Sequence, residues 1–215
     1  MKHHLAAILA VIFASLTPIA PASAHPHVWV TIQTDILFDK DGAATGVRHS
    51  WSFDDAFSVY ATQGIAQNIK GTFTREELAP LAQENVTALK EYKYYTMARA
   101  DGKRLREPFA DVTDYWLDYK DDILTLNYTL PFKTPVKAKD LVVEIYDPEF
   151  FTYLAFAAKD PAKLTNAPAN CSFTVSNPGE GQFPSSQRLD KSFQASEANA
   201  GSGARYASKV LVKCK

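Results

Sequence analysis

The segment HVWVTIQTDILFDKDGAATGVRHSWSFDD, residues 27–55, decides the fold of this 215-residue chain. Val28, Val30, Ile32, Ile36 and Phe38 alternate with His27, Trp29, Thr31, Gln33 and Asp35. Further on, Val47, His49, Trp51 and Phe53 alternate with Gly46, Arg48, Ser50 and Ser52. A period of two in β-branched and aromatic residues marks half-buried strands, and Asp39-Lys40-Asp41-Gly42 supplies the turn of a hairpin. Setting Phe38 against Ala43 places Ile32 opposite His49, Val30 opposite Trp51, Val28 opposite Phe53 and His27 opposite Asp54, with every apolar pair on one face. In that register His27 lies on the polar face and His49 on the apolar one. A bulge or bend is then needed to bring the two imidazoles together.

Downstream, Asp54 or Asp55 caps a helix over Ala56 to Gln67, with Phe57, Tyr60, Ala61 and Ile65 on its buried stripe. Thr74 and Glu77 form a capping box for a second helix to about Lys90, with Leu78, Leu81, Val86 and Leu89 inward and Pro80 as a kink. Aligning Gly71 with an EF-hand glycine puts Glu77 at the bidentate position, but Ala66, Asn68 and Lys70 fall where the leading ligands belong. No calcium is expected there. Strands follow at Tyr92 to Ala100, Thr113 to Asp118, Ile123 to Leu130 and Leu141 to Tyr146. The fold class that results is α+β: an antiparallel, sandwich-like sheet with two helices inserted after the first hairpin.

Upstream, Met1 to His4 form a short positive region, Leu5 to Leu16 an apolar run, and Ala22-Ser23-Ala24 a small-residue cleavage signal. These are the parts of a secretory signal peptide over residues 1–24. Cleavage after Ala24 makes His25 the new terminus, and Ala20-Pro21-Ala22 offers a second site. Export to an oxidising periplasm makes Cys171 and Cys214 a disulfide pair, worth roughly 4 kcal/mol on the chain-entropy account. Residues 25–175 form one domain. Residues 176–206, rich in Ser, Gly, Ala, Asn and Gln, read as a flexible loop, and 207–215 as a strand returning to the domain.

Charge excludes some partners. The whole chain carries 23 Lys and Arg against 24 Asp and Glu, and without clustered cations neither nucleic acid nor an anionic membrane is a natural partner. The histidines point elsewhere. His25 and His27 offer two imidazoles and, after cleavage, a terminal amine within three residues, a donor set for Zn, Ni, Co or Cu. Pro26 has no N–H to surrender, so wrapping of square-planar Cu(II) or Ni(II) by deprotonated amides is blocked. His49, Asp54 and Asp147 are further candidate ligands. A solvated terminus for His25 and His27, a core position for His49 and a turn or cap role for Asp147 stand as the plainer alternatives.

The run His25-Pro26-His27-Val28-Trp29, the segment Val47 to Ser58, the helix start Thr74-Arg75-Glu76-Glu77-Leu78, Leu130-Pro131-Phe132 and Tyr146-Asp147-Pro148 resemble a periplasmic family catalogued as domain of unknown function 1007. The family is often labelled a periplasmic component of an uncharacterised ABC-type transport system. It frequently accompanies nickel/cobalt-type permeases. The resemblance implies a transition-metal-binding protein that serves a membrane metal permease or ABC-type transporter. Two other readings stay open: a copper oxidase with an N-terminal histidine brace, and a non-metal interaction module.

Overall fold

A computed structural model describes residues 26–178 and 202–215. The signal-peptide segment, His25 and most of the loop expected over 176–206 lie outside the described residues.

The hairpin forms as β1 (Val28–Phe38) and β2 (Ala44–Phe53). Its register differs by two residues from the expected one: Val30 lies opposite Phe53, Ile32 opposite Trp51 and Thr34 opposite His49. Two one-residue irregularities cause this. At the turn Phe38 lies opposite Ala44 where Ala43 was expected, with Asp39 N–H donating to Ala43 C=O at 3.0 Å inside that pair and Gly42 left-handed at φ +75°. Thr45 is then the extra residue between the pairs Phe38–Ala44 and Leu37–Gly46. Either slip alone would turn the apolar residues outward, and together they keep them inward.

Two helices follow, as expected, but the first is shorter. Helix α1 spans Asp55–Ala61 with Asp54 as its N-cap. The Thr62 hydroxyl turns back to Ser58 C=O at 2.8 Å, and Gly64 is left-handed at φ +80°. The expected stripe is corrected at Tyr60, which is 71% exposed, while Ser58 is fully buried. The Ser58 hydroxyl donates to Asp54 C=O and accepts Leu124 N–H. Helix α2 spans Arg75–Glu91, starts with the expected Thr74–Glu77 capping box and runs through Pro80 as one element. It buries Leu78, Ala82 and Val86.

After α2 the chain turns through Lys93, Tyr94 and Tyr95, at φ 54°, 55° and 50°. The strand expected from Tyr92 therefore begins later, as β3 (Thr96–Ala100). Then come β4 (Lys103–Arg104), β5 (Thr113–Lys120), β6 (Ile123–Val136), β7 (Asp140–Ile145), β8 (Thr152–Phe156), β9 (Ala162–Thr165), β10 (Cys171–Ser176) and β11 (Ser208–Cys214). Strand β6 passes through Pro131, which was expected in a loop. The β2–β6 register shifts between Ala44 and Gly46, and Gly46 pairs with Pro131, so the missing N–H falls at an irregularity. Gly46 permits this approach, because a Cβ there would meet Leu130 C=O at 3.0 Å.

Two sheets result, in the orders β5-β6-β2-β1-β8 and β10-β11-β7-β3-β4, with β9 also paired to β1. The second is antiparallel throughout. The first is mixed, since β8 and β9 both run parallel to β1. One apolar cluster unites the sheets: Ile32, Val47, Trp51, Leu126 and Leu130 of the first meet Ala98, Val143, Ile145, Val210 and Val212 of the second, and Leu78 of α2 joins them. At the far edge Cys171 and Cys214 are directly opposed on β10 and β11 and form a disulfide.

Candidate functional site

The alternation in β2 points His49 between the sheets, where it is fully buried. Its Nδ1 lies 3.0 Å from the Thr34 hydroxyl on β1, and its Nε2 lies 3.3 Å from the Thr96 hydroxyl on β3. The Thr96 proton is given to Tyr94 C=O at 2.8 Å. The Thr96 oxygen must therefore accept from His49 Nε2–H, which leaves Nδ1 to accept from Thr34. Burial pushes the imidazole pKa down to about 3. The rings of Tyr128 and Trp51 close around it at 5.2 and 5.7 Å. His49 is thus a neutral inter-sheet residue with both nitrogens engaged.

Asp54 is held by structure as well. Oδ1 accepts Phe57 N–H and Oδ2 accepts Trp29 N–H, both at 2.8 Å, and Asp54 N–H returns to Trp29 C=O. The carboxylate caps α1 and pins that helix to β1. The two-residue register change puts Trp29 opposite Asp54, where His27 was expected. Asp147, 2% exposed, accepts Glu149 N–H and Thr152 N–H at 2.9 Å, one per oxygen. It builds the turn into β8. Glu77 behaves alike, with both oxygens accepting backbone N–H groups from Asn68 and Thr74 at 2.7 Å. These bonds, Thr74's foremost, hold its carboxyl below the usual range.

His27 is different. It is exposed at the start of β1, with its N–H on Phe151 C=O at 2.8 Å and its ring 4.8 Å from that of Phe151. It shares the outward face of the first sheet with Trp29, whereas His49 faces inward. The two imidazoles do not meet. Among the described residues, no group of three or more His, Cys, Asp or Glu side chains is placed to hold one metal ion. Nor is any helix among them long and apolar enough to cross a membrane.

One concave region was not expected from the sequence. The left-handed turn Lys93–Tyr95, at about 1–2 kcal/mol of backbone strain per residue, forms one lip of a cleft of about 650 Å³. Its other walls come from α2, β3, β6 and residues 104–111. The signal in the sequence was the interleaving of cations and apolar groups over Lys103-Arg104-Leu105-Arg106.

No curated protein matches the chain. Among solved structures it is similar to acetylcholine-binding protein type 1 of Biomphalaria glabrata, with 9% identity, a TM-score of 0.32, and coverage of 97% of this chain and 96% of that one. That likeness carries no inference. A family model described as "Protein of unknown function (DUF1007)" matches residues 10–214, and the chain belongs to that family.

Proposed function

We propose that the protein is an exported transition-metal-binding accessory of a membrane metal transporter, with His25 and His27 as its donors. The supporting observation is the exposure of His27, where the other candidate ligands are built into the fold. His49, Asp54 and Asp147 each satisfy their polar atoms within the fold, and a side chain so engaged must break two hydrogen bonds before it can ligate. His27 stands exposed at the first strand, two residues after His25. Cleavage after Ala24 would add a terminal amine to these two imidazoles, a donor set for Zn, Ni, Co or Cu. The disulfide accords with a periplasmic location. The bound metal would serve as cargo for a permease or ABC-type partner.

Equilibrium dialysis of the processed protein against Zn, Ni, Co and Cu tests this, with the terminus defined by intact mass. Micromolar binding that is lost in a His25→Ala/His27→Ala variant is expected. Binding unchanged in that variant, or none at micromolar metal, overturns the reading.

A further inference from the structure

The cleft beside the left-handed turn has an apolar floor and a charged rim. Buried Tyr94 and Met97 line it together with Leu105 and Phe109, and Met97 also packs with Tyr146, Ala204 and Ala207. Its walls are fixed by backbone bonds: Leu105 N–H to Ala98 C=O at 2.9 Å, Ala110 N–H to Pro131 C=O and Lys133 N–H to Pro108 C=O, both at 2.8 Å. The Phe109 ring stacks on Phe132 at 4.8 Å. A concavity held open in this way is preformed, and its volume of about 650 Å³ is that of a small-molecule site.

The rim is cationic although the chain as a whole is formally −1. Two acid–base pairs neutralise themselves: Asp111 with Lys90 at 2.8 Å, and Glu107 with Lys133 at 3.9 Å. That leaves Lys93, Arg104 and Arg106 against Glu91. Arg104 reaches the Tyr146 phenol, a neutral partner that does not offset its charge. Lys93 belongs to the strained turn, which the Thr96 hydroxyl holds through Tyr94 C=O. Residues kept in sparsely populated backbone conformations cluster at ligand sites, where the surrounding structure fixes them.

We propose that this cleft binds a small amphipathic carboxylate, its carboxyl group met by Arg106 and Lys93 and its apolar body laid against Met97, Leu105 and Phe109. A guanidinium matches a carboxylate in a two-bond fork, and apolar lining with a few convergent polar groups is the usual form of such sites. The site is remote in sequence from the terminal histidines and does not depend on metal.

Decanoate is a suitable probe, with decanol and acetate as controls, in metal-free buffer below any micelle-forming concentration. Met97 is the one methionine besides Met1, so a ¹³C-methyl label there reports occupancy of the floor directly. Decanoate should bind at least tenfold more tightly than decanol, shift the Met97 methyl resonance and raise Tm. In a Lys93→Gln/Arg106→Gln variant decanoate should weaken at least tenfold and decanol should be unchanged. Equal affinity for decanoate and decanol, acetate binding as strong as decanoate binding, or an unmoved Met97 resonance overturns the proposal. A folded variant that retains full decanoate affinity does the same.

Discussion

His49 and His27 carry the same side chain on two neighbouring stretches of the same sheet, and the fold gives them opposite chemistry. His49 sits between the sheets with a proton fixed on Nε2 and both nitrogens bonded to threonine hydroxyls. His27 lies outside, against Phe151, at the beginning of the first strand. Desolvation makes the first a permanent neutral hydrogen-bond link. The second is exposed to solvent beside Phe151. Which face of a strand a histidine occupies therefore decides whether its ring meets the core or the solvent.

The contrast can be broken most forcefully at His49. A His49→Ala change leaves a void beside Trp51 and Tyr128 and strands the hydroxyls of Thr34 and Thr96. It should cost about 2–4 kcal/mol in denaturant unfolding, and a loss below about 1 kcal/mol would show that the inter-sheet link is dispensable.

Acid sharpens the same comparison. His49 is neutral when folded and takes up a proton near pH 6.5 once unfolded, so unfolding binds a proton between these limits. Its contribution is complete above about pH 6.5 and is lost as pH falls towards about 3, at up to about 1.4 kcal/mol per pH unit. Subtracting the pH profile of a His49→Gln variant from that of the native chain isolates this slope. A flat difference would mean that the buried imidazole protonates in place.

The smallest effects belong to the start of β1. Asp54→Ala should cost about 1–2 kcal/mol, because it removes the α1 cap and the tie to Trp29 N–H together. His27→Ala should stay within about 0.5 kcal/mol. Thermal unfolding of the two variants side by side checks the order, and a reversal would place His27 among the structural residues.

Much of the fold was legible because its signals are local. The hairpin's alternation, the Thr74–Glu77 box and the inward stripe of α2 each depend on neighbours within a turn or a strand. The pairing register was not legible: the one-residue shift at the turn and the bulge at Thr45 offset each other, and parity of the alternation is the same with both or with neither. The parallel β8 and β9 also escaped, since short strands that join a distant edge carry no local mark of direction. For the candidate ligands, the sequence showed that Asp54 and Asp147 could cap or turn. It could not show that both oxygens of each are taken.

By itself the sequence determined the inward face of the first hairpin, the helix starts and the cysteine pair. Tertiary structure alone decided that His49 is sealed between Thr34 and Thr96, that Trp29 displaces His27 opposite Asp54, and that Lys93, Arg104 and Arg106 share the rim of one cleft. The physical reason is range: hydrogen bonding and turn chemistry act between near neighbours, whereas burial and charge convergence arise where strands distant in sequence are brought together.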